Sequence, residues 1–343
     1  MLTPYRAPRW LPGGHLQTIY AAAWMPLPQV QYRREQWDTP DGDFIELDWL
    51  DNQWLDNQWL DNQWPVARGL DKRSIDNAAE QPLLVLFHGL EGSSRSHYAL
   101  RLMSALRQQN WRGVVVHFRG CGGTPNRLPR SYHCGDSAEI DWILRRLRAT
   151  HHGKLYAVGV SLGGNALLKW LGEQQDEARS IIDKVATISA PIALPTTGRV
   201  LGTGFNRFYA ALFLKSLRPK ALAMIDRHKL NHDAAAIRQT RNLWHYDNLF
   251  TAPLHGFKDA DDYWEKSDSR PFLRTIKLPT LLLNARNDPF LPEQDLPGAD
   301  EVSSFVIRDF PPQGGHVGFV GKMANSRQDW LPERILCFLQ TGH

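Results

Sequence analysis

From residue 82 onward, short, mostly apolar runs alternate with longer segments of helical periodicity. The apolar runs occupy 83–87, 114–118, 155–160, 185–189, 280–284 and 303–308, and the helical patterns occupy 96–109, 138–148, 165–172 and 330–339. A strand that is apolar on both faces has to be covered on both faces, and strands separated by helices pair in parallel. The pattern therefore predicts an α/β protein: a mostly parallel sheet with helices on both faces. Upstream, 30–37 and 43–49 alternate around Pro40-Asp41-Gly42, which predicts an antiparallel hairpin at one edge of that sheet. About ninety residues separate the fourth and fifth runs, too many for a simple crossover, so a helical cap inserted over 191–278 is expected. The whole of 1–343 reads as one domain, large enough to bury a substantial core.

One segment departs from this order. Leu50-Asp51-Asn52-Gln53-Trp54 is repeated at 55–59 and 60–64. A period of five matches neither a helical face nor a strand face, and three short copies cannot stack as a solenoid. With the polar stretch that follows, 50–80 reads as a low-complexity surface loop, with an aromatic contact patch as the alternative.

Charge and cysteine content narrow the functional classes. Forty Lys and Arg against 36 Asp and Glu give a net charge of +4 with no dense basic stripe, so no nucleic-acid partner is expected. Cys121, Cys134 and Cys337 lack zinc-ligand spacing, and no paired histidines or clustered carboxylates suggest a metal. Arg6 and Arg9 followed by 19–25 loosely resemble a secretory leader, but Pro12, Gly13, Gly14, His15 and Gln17 interrupt it. No stretch approaches the ~20 apolar residues of a membrane span, and a cytoplasmic protein is expected.

The chemistry concentrates at Gly159-Val160-Ser161-Leu162-Gly163, a G-x-S-x-G sequence. It lies at the end of an apolar run and opens directly into a helical one, the strand–turn–helix setting of a nucleophile elbow. Such a turn strains the serine backbone and needs small neighbours so that Oγ projects clear. A serine needs a base, and the base needs an orienting carboxylate. In this setting the chain order is serine, acid, histidine, each past a strand. Asp288 follows the fifth run, with Asp295 in reserve, and His316 sits in the glycine-rich loop after the sixth. The oxyanion donors expected are the backbone N–H groups of Leu162 and Leu90, the latter in His88-Gly89-Leu90-Glu91-Gly92 after the first run.

Other signals read as structural. His88 precedes the serine at a strand end and is expected to hydrogen-bond within its loop. Gly120-Cys121-Gly122-Gly123-Thr124 lacks the lysine and spacing of a phosphate loop, so it should bend near the site with Cys121 packed. Residues 207–229 mix apolar and basic side chains, which predicts an amphipathic helix with a solvated basic face. Contact with a membrane surface or an acyl chain is the alternative.

Together these residues resemble the α/β-hydrolase superfamily and, within it, the YheT-like hydrolases (α/β-hydrolase family 4). The likeness runs nearly end to end. It includes Pro12-Gly13-Gly14-His15-Leu16-Gln17-Thr18, His88-Gly89-Leu90-Glu91-Gly92-Ser93, His117-Phe118-Arg119-Gly120-Cys121 and Gly163-Gly164-Asn165. It continues through Tyr246-Asp247-Asn248-Leu249-Phe250-Thr251-Ala252, Asn287-Asp288-Pro289-Phe290 and Gly314-Gly315-His316-Val317-Gly318-Phe319. The repeat is not part of the family pattern. The resemblance implies a Ser161–Asp288–His316 charge relay and a carboxylic-ester hydrolase acting on a small-molecule or lipid-like ester without a cofactor. Acyl transfer on the same residues and non-catalytic ligand binding are the rival expectations.

Overall fold

The computed structural model describes residues 4–50, 81–321 and 329–341. The repeat beyond Leu50 and the polar connection after it lie outside the described residues. An eight-stranded sheet forms among those described, in the order β1-β2-β4-β3-β5-β6-β7-β8. β1 (Tyr32–Asp38) and β2 (Phe44–Leu50) make the expected antiparallel edge hairpin, and β2 runs antiparallel to β4 (Arg112–His117). The remaining pairings, through β3 (Leu83–Phe87), β5 (Leu155–Val160), β6 (Lys184–Ile188), β7 (Thr280–Leu283) and β8 (Val306–Asp309), are parallel.

The apolar runs are strands because both of their faces are buried. Leu83, Val85 and Phe87 of β3 join one core cluster while Leu84 and Leu86 join the other. On the first side pack α3 (Ser137–Thr150), through Ile140, Ile143 and Leu144, and α4 (Leu162–Gln174), through Leu167 and Trp170. On the second pack α2 (His97–Gln108), through Leu100, Met103 and Leu106, and α8 (Trp330–Thr341), through Ile335 and Phe338. Burying such side chains fully contributes about 1.5–3 kcal/mol each.

β3 lies between β4 and β5, so the chain winds outward from it in both directions. The crevice beyond the carboxyl ends of β3 and β5 is where an open α/β sheet accommodates a ligand. Between β6 and β7 the chain is mostly helical, including α5 (Leu194–Leu201), α6 (Asn206–His228) and α7 (Ala260–Ser267). The sequence pattern anticipates α6 as amphipathic with a basic outer face, and the structure differs. Leu214 and Leu217 are buried, yet Phe208 and Leu212 are exposed alongside Arg207 and Lys215. The helix has apolar side chains on both faces because only one of them meets a neighbour. A shorter helix, α1 (Gly14–Ala23), precedes the sheet.

Candidate active site

Ser161 is placed by the strand–helix junction. Its backbone sits at φ 51°, ψ −120°, between the last residue of β5 and the first of α4, with its N–H bonded to the Ile188 carbonyl at 2.9 Å. A non-glycine residue rarely adopts positive φ, and here packing on both sides enforces it. A Cβ at Gly163 would stand 2.5 Å from the Phe87 carbonyl oxygen, and one at Gly159 would stand 2.6 Å from that of Gly163. Only glycine lets α4 approach the sheet closely enough to force the turn.

The loops after β7 and β8 bring the other two candidates to the serine. His316 Nε2 lies 2.9 Å from Ser161 Oγ, and His316 Nδ1 lies 2.9 Å from Asp288 Oδ2. The second oxygen of Asp288 accepts the Phe290 N–H at 2.8 Å, which fixes the carboxylate while leaving Oδ2 to the imidazole. Asp288 is 5% exposed. The Phe290 ring lies 4.1 Å, centroid to centroid, from the imidazole. Asp295 makes no contact of this kind: its backbone carbonyl accepts from Arg270 instead.

The Leu90 and Leu162 candidates meet a simple test of availability. The N–H groups flanking Leu90 are taken, that of Gly89 by the Tyr98 hydroxyl at 2.9 Å and that of Glu91 by the Tyr132 hydroxyl at 2.8 Å. Leu90 N–H and Leu162 N–H have no acceptor among the described residues. Leu162 is the first residue of α4, where helical N–H groups lack internal partners and the positive end of the helix dipole falls. Both leucines line the same cavity as Ser161 and His316.

His88 is fully buried, donating from Nδ1 to the Gly89 carbonyl at 2.7 Å and accepting the Phe118 N–H at 3.1 Å on Nε2. Burial pushes its pKa down to about 3, so it stays neutral and braces the Leu90 loop. Cys121 lies in the cavity wall. Burial pushes its thiol up to about 12, which leaves it protonated and unreactive at neutral pH.

Sequence reasoning assigned no task to Gln17 and Thr18 of α1, which hold the histidine loop. Thr18 Oγ1 accepts the His316 N–H at 2.8 Å and donates to the Gly14 carbonyl at 2.7 Å. Gln17 is fully buried, and its Oε1 accepts from the Gly314 N–H at 2.8 Å and the Asn287 amide at 3.1 Å. Asn287 Oδ1 in turn accepts the Gly315 N–H at 2.9 Å. Two loops that carry the acid and the base are thus tied through one helix. No local pattern marks either residue, because the groups they hold lie 270 to 298 residues further along the chain.

The cavity has a volume of about 490 Å³, and its walls include Leu201, Leu217 and Phe250 from the helices between β6 and β7. Asp247 faces it. Thr251 donates to one carboxylate oxygen at 2.7 Å and Trp264 to the other at 2.9 Å, and burial raises its pKa to about 6. Among the described residues no three His, Cys, Asp or Glu side chains are grouped to hold a metal ion.

Comparison with known proteins agrees with this architecture. Residues 82–322 match the family model described as the alpha/beta hydrolase fold. The chain is 34% identical to YheT of Escherichia coli (strain K12) over 330 residues, covering 95% of this chain and 90% of that one. It is 26% identical to a monoacylglycerol lipase of Saccharomyces cerevisiae (strain ATCC 204508 / S288c), covering 97% of this chain and 79% of the yeast protein. Among solved structures, the Pyrococcus furiosus esterase Pf2001 shares the fold with a TM-score of 0.52 at 15% identity, covering 91% of this chain and 92% of the esterase. On the family-model match and the 34% identity across most of both chains, the chain belongs to the α/β-hydrolase family and is a YheT-like member of it.

Proposed function

We propose that the protein hydrolyses carboxylic esters through an acyl-enzyme on Ser161. The observation that carries this reading is the hydrogen-bonded line from Ser161 through His316 to Asp288, with 2.9 Å at each step, opening onto a largely apolar cavity. His316 Nε2 takes the proton of Ser161 as Oγ bonds to the ester carbonyl carbon. Asp288 holds the proton on Nδ1 and stabilises the imidazolium. The Leu90 and Leu162 N–H groups stabilise the developing oxyanion. His316 then returns its proton to the departing alcohol, and water activated by the same imidazole releases the acid. The helices between β6 and β7 act as the cap that shapes the acyl pocket, and the named esterase and lipase relatives support an ester substrate with a lipid-like chain.

A fluorophosphonate probe tests the proposal. One adduct mapping to Ser161, with ester turnover lost in a folded Ser161→Ala protein, is the expected result. Turnover at the wild-type rate in Ser161→Ala would overturn it.

A further inference from the structure

Among the described residues, the exposed large apolar side chains fall in two segments and nowhere else. Trp10, Leu16, Trp24 and Leu27 surround α1, and Phe205, Phe208 and Leu212 lie at the start of α6. Phe205, Phe208 and Leu212 are spaced i, i+3, i+7 and form a stripe along one helical face, while Trp10, Trp24 and Leu27 flank the exposed Leu16 of α1. A stripe of this kind ordinarily faces a core. Both groups face outward, and His15 joins them. Its ring lies 4.8 Å from Phe205 and 5.8 Å from Tyr209, whose hydroxyl is 3.2 Å from His15 Nδ1.

Charge is segregated in the same places. Residues 1–34 contain no Asp or Glu, and neither do residues 184–225, in a chain whose 36 acidic residues nearly balance its 40 Lys and Arg. Arg6, Arg9, Arg207 and Lys215 are exposed and make no ion pair among the described residues. Exposed apolar side chains that include two tryptophans, on segments with exposed cations and no carboxylates of their own, complement an anionic lipid surface. Phe and Leu enter the acyl boundary, Trp sits at headgroup level, and Arg and Lys meet the headgroup charge. A second copy of the chain fits poorly, because a two-fold contact sets each cationic fringe against its own image.

The face also lies close to the candidate site. Tyr209 packs on Phe290 at 4.8 Å and Phe290 on His316 at 4.1 Å, while Phe213, next to Leu212, lines the cavity. We propose that this face, built from α1 and the start of α6, docks the protein peripherally on an anionic bilayer, one aromatic layer from His316. No described helix is long and apolar enough to cross a membrane, so docking is superficial. It stands independently of the ester chemistry proposed above.

The test is co-sedimentation of the full chain with vesicles of phosphatidylcholine, alone or mixed with phosphatidylglycerol. It compares wild type with the combined Trp24→Ser, Phe208→Ser, Leu212→Ser variant, whose fold is checked by thermal unfolding. Wild type is expected to bind mixed vesicles at least about tenfold more tightly than neutral ones. The variant should lose about tenfold or more of that binding while labelling by a soluble fluorophosphonate is unchanged. Wild type left in the supernatant with mixed vesicles overturns the proposal, and so does a folded variant that binds as wild type does. A wild-type dimer that the variant converts to a monomer assigns the face to self-association and equally overturns it.

Discussion

Replacing Thr18 by Val removes one oxygen from the molecule and leaves the shape almost unchanged. That oxygen is the acceptor of the His316 N–H at 2.8 Å, in a place too crowded for water to substitute. A Cβ on neighbouring Gly315 would lie 2.6 Å from the Gly14 carbonyl oxygen and 2.8 Å from Thr18 Oγ1. Stranding a buried N–H costs about 1–3 kcal/mol. The loop relieves that cost by drawing His316 away from α1, and its Nε2 has only the 2.9 Å contact to Ser161 Oγ to lose. A displacement of about 1 Å at a reacting group typically costs about a hundredfold in rate. Thr18→Val is therefore expected to lower kcat on a soluble ester by about ten- to hundredfold, with the rate of fluorophosphonate labelling falling in parallel. KM should change little, because Thr18 is not a cavity residue. Thr18→Ser keeps the oxygen and should restore both rates. A Thr18→Val protein with a lowered melting temperature but wild-type kcat would refute the reasoning, because the bond would then support the loop's folding without positioning the base.

Two further changes probe the same architecture. In Gly14→Ala the new methyl collides with the Asn287 carbonyl oxygen next to Asp288, so activity and melting temperature should both fall. Wild-type values for both would show that α1 can shift without consequence. Asp247 has its pKa raised to about 6 by burial, so between about pH 4 and pH 6 the folded state keeps a proton that the unfolded state has lost. Its contribution to stability is therefore lost as pH rises through that window, by about 3 kcal/mol in all, and is flat above it. Asp247→Asn should reduce the slope in urea unfolding measured across the window, leaving the part that Asp268 and Glu139, also raised by burial, contribute. Parallel curves for the two proteins would contradict the assignment.

How much of this was readable in advance depends on the range of the interactions involved. The central strands were legible because burial on both faces leaves an apolar residue at every position, and β3 and β5 coincide with the predicted 83–87 and 155–160. Ser161 stood out because its motif describes a local turn. The distances that bring Asp288 and His316 to it arise from where β7 and β8 end, and strand ends can be counted along the chain. The clamp from α1 had no such local trace. Gln17 and Thr18 bond to groups 270 to 298 residues away, and a polar pair on a short helix reads in sequence as a solvent face. For α6 the pattern of apolar and basic residues was visible, but only its neighbours decide which apolar side chains are covered.

The same physical limit links α6, which the pattern read differently, to α1, which it left unassigned. α1 turns Gln17 and Thr18 inward to hold the histidine loop, and turns Leu16 outward. α6 turns Phe213 and Leu217 toward the cavity, and Phe208 and Leu212 outward. Each helix therefore has one face against the candidate site and an apolar face against solvent, an arrangement that core formation alone does not favour. Burying either outer face within the protein would need another layer of structure over the cavity and its mouth. Leaving both groups open, joined through His15 and Phe205 on segments without carboxylates of their own, is the arrangement that the proposed lipid docking and ester chemistry would use together.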